Sequence, residues 1–116
     1  MSIRRLHCGP RMSEAVIYNG VVYLAGQVAE DAEQDITGQT EQVLAAIGAL
    51  LAEAGTDKSR LLTAQIFLKD LAEFSAMNAV WERWVVPGAT PTRATVQAAL
   101  ARPGWKVEIL VTAAAG

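Results

Sequence analysis

The chain has 116 residues and a formal net charge of -2, and hydrophobic residues make up 52% of it. This length supplies one hydrophobic core, so we expect a single domain over residues 1–116. The ten basic side chains are scattered along the chain and are outnumbered by twelve acidic ones. This balance argues against nucleic acid as a partner. No apolar run approaches the roughly 20 residues of a membrane span and no signal-peptide pattern opens the chain, so we expect a cytoplasmic protein without membrane contact.

The only histidine and the only cysteine, His7 and Cys8, limit the chemistry that the chain can perform. One thiol cannot form an internal disulfide, and one thiol with one imidazole cannot build a soft-ligand metal site. We therefore expect no bound metal. Catalysis would have to use carboxylate, guanidinium, hydroxyl or backbone groups.

The first predicted element is a β-hairpin. Segments 15–18 and 21–25 are rich in β-branched and aromatic residues, and Asn19-Gly20 between them is typical of a type I′ turn. Residues 3–7 show a weaker strand pattern and would pair beside the hairpin.

Two amphipathic helices are predicted further along the chain. Apolar residues at helical spacing predict a helix over about 37–54 that Gly55 ends. A second apolar stripe predicts a helix over about 71–85, with Asp70 as its N-cap. Alternating patterns predict three more strands, at 61–69, 92–98 and 105–113. The element order indicates an α+β fold in which both helices cover one face of a mixed sheet.

The other face of the predicted sheet is of mixed polarity. In the strand at 61–69, Leu62, Ala64, Ile66 and Leu68 are assigned to one side. The opposite face would carry Thr63, Gln65, Phe67, Arg93, Thr95, Gln97, Glu108 and Leu110. Such a face is too apolar for water and too polar for a dry core, so we expect it to meet another subunit and to place charged groups in shared clefts.

Several segments resemble the RidA-like (Rid, reactive intermediate deaminase) family in their order and spacing. They are Gly9-Pro10 and residues 25–28, 67–71, 74–78, 91–96 and 107–109, which together span nearly the whole chain. The resemblance implies a chorismate-mutase-like α+β subunit, here with a six-stranded sheet. It also implies a homotrimer in which the three sheets line a central barrel and the active sites lie between chains.

The resemblance further implies an enzyme, a hydrolase acting on C–N bonds. It would convert reactive enamine and imine intermediates of small amino acids to 2-keto acids and ammonia, without a metal or organic cofactor. Arg93 and Glu108 match the family's arginine and late-strand glutamate, so they are the expected catalytic residues. Arg93 would also bind substrate, together with Gly26, Thr95 and Asn78.

The chemistry of these groups suits that reaction. The Arg93 guanidinium can bind a substrate carboxylate through two parallel hydrogen bonds. The Glu108 carboxylate could deprotonate the attacking water and then protonate the departing nitrogen. Backbone N–H groups near Gly26 can approach a ligand closely because glycine has no side chain. Thr95 and Asn78 would add neutral hydrogen bonds.

Three positions depart from the usual family pattern. Ala25 stands where a hydroxyl residue is common, Met12 or Ser13 where an aromatic residue is common, and Thr95 where cysteine is frequent. The preferred substrate therefore stays open. Two other functions also stay open: a trimeric protein that binds small carboxylates for regulation without turnover, and a ribonuclease, which the acidic charge balance disfavours.

Overall fold

A mixed β-sheet forms one layer of the structure. The structure is a computed structural model that describes residues 2–116. Met1, the first residue of the predicted domain, lies outside the described range. Seven strands make up the sheet over these residues. In chain order they are β1 (Arg4–Leu6), β2 (Ala15–Tyr18), β3 (Val21–Leu24), β4 (Gln27–Val28), β5 (Leu61–Leu68), β6 (Thr92–Gln97) and β7 (Val107–Ala114). Their spatial order is β1-β2-β3-β7-β5-β6, and β4 also pairs with β7. Only β5 and β6 pair in parallel among them.

The predicted hairpin is confirmed. Tyr18 pairs with Val21 across the turn, and Asn19 and Gly20 both have positive φ, 51° and 80°, as a type I′ turn requires. The weakly predicted first strand also forms, since β1 pairs antiparallel with β2. The predicted sheet of six strands is one strand short, because the two residues of β4 are too few to show an alternating pattern.

Helix α1 (Ile36–Glu53) agrees with its predicted range to within one residue at each end. The Asp35 side chain caps it by accepting a hydrogen bond from the N–H of Gly38, and Gly55 follows its end at φ 85°. Helix α2 (Phe74–Trp84) is shorter than predicted, because residues 71–73 form a 3₁₀ turn. Neither helix of the described chain is long and apolar enough to cross a membrane.

The core lies between the two helices and one face of the sheet, as predicted. The inward side chains of β5 and β7 are buried: Ala64, Ile66, Leu68, Val107, Ile109, Val111 and Ala113. The prediction for Leu62 is wrong, because its side chain is 43% exposed while that of Leu61 is 6% exposed. A register irregularity in the β5–β7 pairing between Leu61 and Thr63 shifts the alternation at this end of the strand.

The predicted facing of β6 is also wrong. Arg93 pairs with Ala64 and Thr95 pairs with Ile66, and paired residues of neighbouring strands point to the same face. Arg93 and Thr95 therefore lie on the helix-covered face, and so does Gln97, which pairs with the buried Leu68. The open face of β6 is formed instead by Thr92, Ala94 and Val96.

Gln39 is a fully buried polar side chain that ties two distant segments together. Its Nε2 donates to the carbonyl oxygens of Ala32, Gln34 and Gly104 at 3.0 to 3.1 Å. Its Oε1 accepts a hydrogen bond from the N–H of Lys106 at 2.9 Å. The segment before α1 is thereby fixed to the loop that leads into β7.

Replacing Gln39 by an apolar side chain of similar length, Gln39→Met, is expected to lower the free energy of unfolding by about 2–4 kcal/mol, because the four backbone groups that it bonds lose their partner. Urea unfolding at fixed protein concentration measures the change. Gln34→Met is the control, since the Gln34 side chain is exposed and bonds only to Asp31; it should change stability by less than about 0.5 kcal/mol. Equal unfolding midpoints for the two variants would contradict the role of Gln39.

Candidate functional site

Arg93 is held by three side chains of α2. Its Nη1 donates a 2.7 Å hydrogen bond to Oδ1 of Asn78. Its guanidinium carbon lies 5.7 Å from the ring centroid of Phe74 and 5.5 Å from that of Trp81, within range of cation–π attraction. Positions 74, 78 and 81 recur on one side of a helix. One side of α2 therefore fixes the guanidinium.

The electrostatic surroundings of Arg93 leave it available to an anion. Burial lowers the pKa of the guanidinium from its ordinary value, and the negative charge of Glu82 opposes this shift. The guanidinium stays protonated at neutral pH, because arginine loses its proton only in strongly alkaline solution. No carboxylate among residues 2–116 forms an ion pair with it. A half-buried cation in this state is suited to binding a carboxylate.

Thr95 lies two residues further along β6, on the same face as Arg93. Its Oγ1 is buried and has no hydrogen-bond partner within the described chain. Buried hydroxyls are nearly always hydrogen bonded in folded proteins, so this oxygen is free to bond a ligand or a water molecule. We call Arg93, Asn78, Thr95, Phe74 and Trp81 the arginine half-site.

Glu108 belongs to a second cluster, on the open face of the sheet. It pairs with Phe67 of β5 on one side and with Val28 of β4 on the other. Gly26 lies directly against it, since a Cβ at Gly26 would overlap the Oε2 of Glu108. The position of this carboxylate therefore requires glycine at residue 26. We call Gly26 and Glu108 the glutamate half-site.

The backbone around Gly26 is held by two polar side chains that the sequence did not single out. Gln27 Nε2 donates to Oε2 of Glu14 at 3.0 Å and to the carbonyl oxygen of Ala25 at 3.1 Å. The N–H of Ala25 in turn donates to the carbonyl oxygen of Glu14 at 2.9 Å. These bonds fix the turn between β3 and β4. Phe74 and Trp81 were also missed as site residues, although their spacing to Asn78 is a visible helical pattern.

The two half-sites do not meet within one chain. Strand β5 lies between β6 and β7, and the register places Arg93 and Glu108 on opposite faces of the sheet. The expectation that the two charges share one face of a single subunit is therefore wrong. A site that contains both groups requires two chains.

The open face has the character of a contact surface. It carries Tyr18, Tyr23 and Val96, which are 42%, 48% and 44% exposed. A cavity of about 340 Å³ lies at the pairing of β5 with β6, where Thr63, Gln65 and Ala94 are among its lining residues. Large apolar side chains interspersed with polar ones are typical of surfaces that meet a partner.

The fold and the sequence together define the class of protein. The family model described as endoribonuclease L-PSP matches residues 3–115, so the chain belongs to this family. A solved structure of a YjgF protein family member from Neisseria meningitidis superimposes with a TM-score of 0.96 and 48% identity, covering 100% of this chain and 97% of that one. The resemblance to the Rid family and the expected fold are thereby confirmed.

Two sequence relatives of the chain carry more specific names than the family model does. A RutC family protein of Haemophilus ducreyi is 48% identical over 112 residues, covering 97% of this chain and 96% of the relative. A protein of Arabidopsis thaliana named Reactive Intermediate Deaminase A, chloroplastic, is 32% identical over 103 residues, covering 84% of this chain and 54% of the relative.

The close packing of Gly26 against Glu108 gives a test of the glutamate half-site. Gly26→Ala is expected to displace the Glu108 carboxylate, because a methyl group would occupy its place; stability should fall by less than about 1 kcal/mol, since only a side-chain end has to move. A crystal structure of the variant measures the displacement. Gly48→Ala in α1 is the control: nothing lies near its added Cβ, and it should raise stability by about 0.5–1 kcal/mol without moving Glu108. An unmoved Glu108 carboxylate in Gly26→Ala would contradict this account.

Proposed function

We propose that the protein is a hydrolytic deaminase that converts reactive enamine and imine intermediates of small amino acids to 2-keto acids and ammonia. The observation that carries the proposal is the pair of incomplete half-sites, one with a guanidinium that has no ion-pair partner among residues 2–116 and the other with a carboxylate. The reaction needs both groups: a cation to hold the substrate carboxylate and a base to handle water. The name of the Arabidopsis relative, Reactive Intermediate Deaminase A, agrees with the same chemistry.

The active site in this proposal forms between chains of a homotrimer. Strand β6 is an edge strand that pairs only with β5 in the described sheet, so a neighbouring chain can approach Arg93 from its free side. The open face of that neighbour would bring Glu108 and the backbone at Gly26. Closing three copies around one axis would bury the exposed tyrosines of each open face and complete three sites.

The proposed mechanism uses only side chains and water. Arg93 binds the substrate carboxylate through the guanidinium N–H groups that Asn78 does not bond. The Thr95 hydroxyl bonds the substrate or the attacking water. The reacting imine is protonated on nitrogen; Glu108 accepts a proton from water as the water oxygen attacks the C=N carbon, which gives a neutral carbinolamine. Glu108 then returns that proton to the nitrogen, and the C–N bond breaks as Glu108 takes up the hydroxyl proton, so that the ketone forms and ammonia leaves. A positioned acid–base group of this kind contributes roughly 10²–10⁴-fold in rate.

A coupled assay tests the activity. Added to a threonine or serine dehydratase reaction, the protein should speed the appearance of the keto acid, and Arg93→Ala should not. Glu108→Gln should lower the rate roughly 10²–10⁴-fold with less effect on keto-acid binding, because it keeps the shape of the side chain but not its basicity. Arg102→Ala, which removes an exposed arginine of the loop before β7, should leave the rate unchanged.

Other outcomes of the same assay would give a different function. Tight binding of pyruvate or 2-oxobutyrate with no acceleration of imine loss would identify a carboxylate-binding protein instead. Strongly salt-dependent RNA affinity would favour the ribonuclease of the family description; the net charge of -2 argues against it.

Mixing two inactive variants tests whether the site is shared between chains. When Arg93→Ala and Glu108→Gln chains are unfolded and refolded together in equal amounts, random assembly gives about one interface in four with both native groups. Activity should therefore recover to about a quarter of the wild-type rate per chain. Separately refolded variants that are combined afterwards serve as the control. No recovery in the co-refolded sample would show that one chain supplies both groups.

A further inference from the structure

A second cavity lies on the outer side of the helical layer, between α1 and α2. Its volume is about 260 Å³. Four apolar side chains line it, Leu44, Ala45, Val80 and Trp84, together with three charged ones, Glu41, Lys58 and Arg83. None of these residues belongs to either half-site.

The charges around this cavity are unbalanced toward positive. Arg83 Nη2 lies 4.0 Å from Oε2 of Glu41, a long ion pair in which both side chains are more than half exposed. The Nζ of Lys58 lies 5.3 Å from the centroid of the Trp84 ring, and no described carboxylate pairs with it. Two cations therefore flank an apolar surface, and Glu41 is the one carboxylate among the described residues that line it.

We propose that this cavity is a binding site for a small monocarboxylate with an apolar body, such as an arylalkanoate or a branched alkanoate. The apolar body would pack on Trp84, and the carboxylate would lie between Lys58 and Arg83. A volume below the roughly 300–1,000 Å³ of sites for drug-sized molecules restricts the ligand to a small one. Glu41 disfavours a second negative charge on the ligand.

The cavity is linked to the arginine half-site through two aromatic rings. The ring centroids of Trp84 and Trp81 are 5.8 Å apart. The guanidinium carbon of Arg93 in turn lies 5.5 Å from the centroid of the Trp81 ring. The Trp84 and Trp81 rings would therefore lie between a bound ligand and the Arg93 guanidinium. Binding in the cavity does not depend on the proposed deaminase activity.

The probe for the test is 3-phenylpropionate, and the readout is the indole N–H signal of each tryptophan in an NMR titration. Trp84 should shift saturably, whereas Trp105, whose indole N–H donates to Ala29, should not. The neutral 3-phenyl-1-propanol and the cationic 3-phenylpropylamine should bind more weakly. Raising the salt concentration should weaken binding of the acid, since the two cations are exposed to solvent.

Charge variants test which side chains bind the carboxylate of the ligand. Lys58→Met combined with Arg83→Met should weaken binding roughly five- to tenfold, the size expected of two exposed charges. Glu41→Gln should strengthen it about two- to threefold by removing the competing carboxylate. Arg102→Met is the matched control, because it removes a cation over the Trp105 ring, 5.1 Å from its centroid, and should change nothing at Trp84.

The Arg93→Ala variant separates this site from the proposed active site. Retention of the Trp84 shift in that variant supports an independent site, whether or not the protein proves to be a deaminase. Loss of the shift in Arg93→Ala, with retention in the Lys58/Arg83 double variant, would mean that the acid binds at the arginine half-site. Equal affinity for the alcohol, tighter binding of the amine, or a shift that never saturates would each also overturn the proposal.

Discussion

The position of β5 between β6 and β7 is the constraint on which the candidate site depends. The strand pairs in parallel with β6 and antiparallel with β7, so its register sets the facing of both neighbours. Because Arg93 pairs with the inward-facing Ala64, its side chain lies on the helix-covered face. Because Glu108 pairs with Phe67, its side chain lies on the open face. A slip of β6 by one residue would turn Arg93 to the other face and separate it from Asn78. The division of the charged groups between two faces follows from this one register.

Helix α2 is the second organising element, since different sides of it serve two regions of the surface. One side supplies the hydrogen bond and the two aromatic rings that fix Arg93. Another side supplies Arg83 and Trp84 to the outer cavity. Arginine suits the first position because its planar, permanently charged group can stack on a ring and still present hydrogen-bond donors to a ligand. The glutamate half-site is built differently, from a tight backbone turn that a glycine makes possible.

Most of the fold could be predicted from the sequence because its signals are local. The Asn19-Gly20 turn, the length of α1 and the alternation of β7 each depend on residues close together in the chain. The two errors in α2 and β5 have different causes, one local and one long-range. The shortening of α2 follows from a 3₁₀ turn after Asp70, and the exposure of Leu62 follows from an irregularity in its pairing with another strand. Neither feature is visible in the hydrophobic pattern of the element itself.

The sequence by itself determined the two helices, the hairpin and the residue types available for chemistry, because composition and short-range periodicity carry that information. The family followed from the resemblance of its segments in order and spacing. Only the tertiary structure decided which of these residues are neighbours. One alternating set of β6 is wholly polar (Arg93, Thr95 and Gln97) and the other is mostly apolar (Thr92, Ala94 and Val96), so hydrophobicity favoured the wrong face for Arg93 and Thr95. Pairing with β5, 29 positions away in the case of Ala64 and Arg93, made that assignment. The pairing of β7 with β4 and β5 placed Glu108 beside Gly26 and away from the guanidinium.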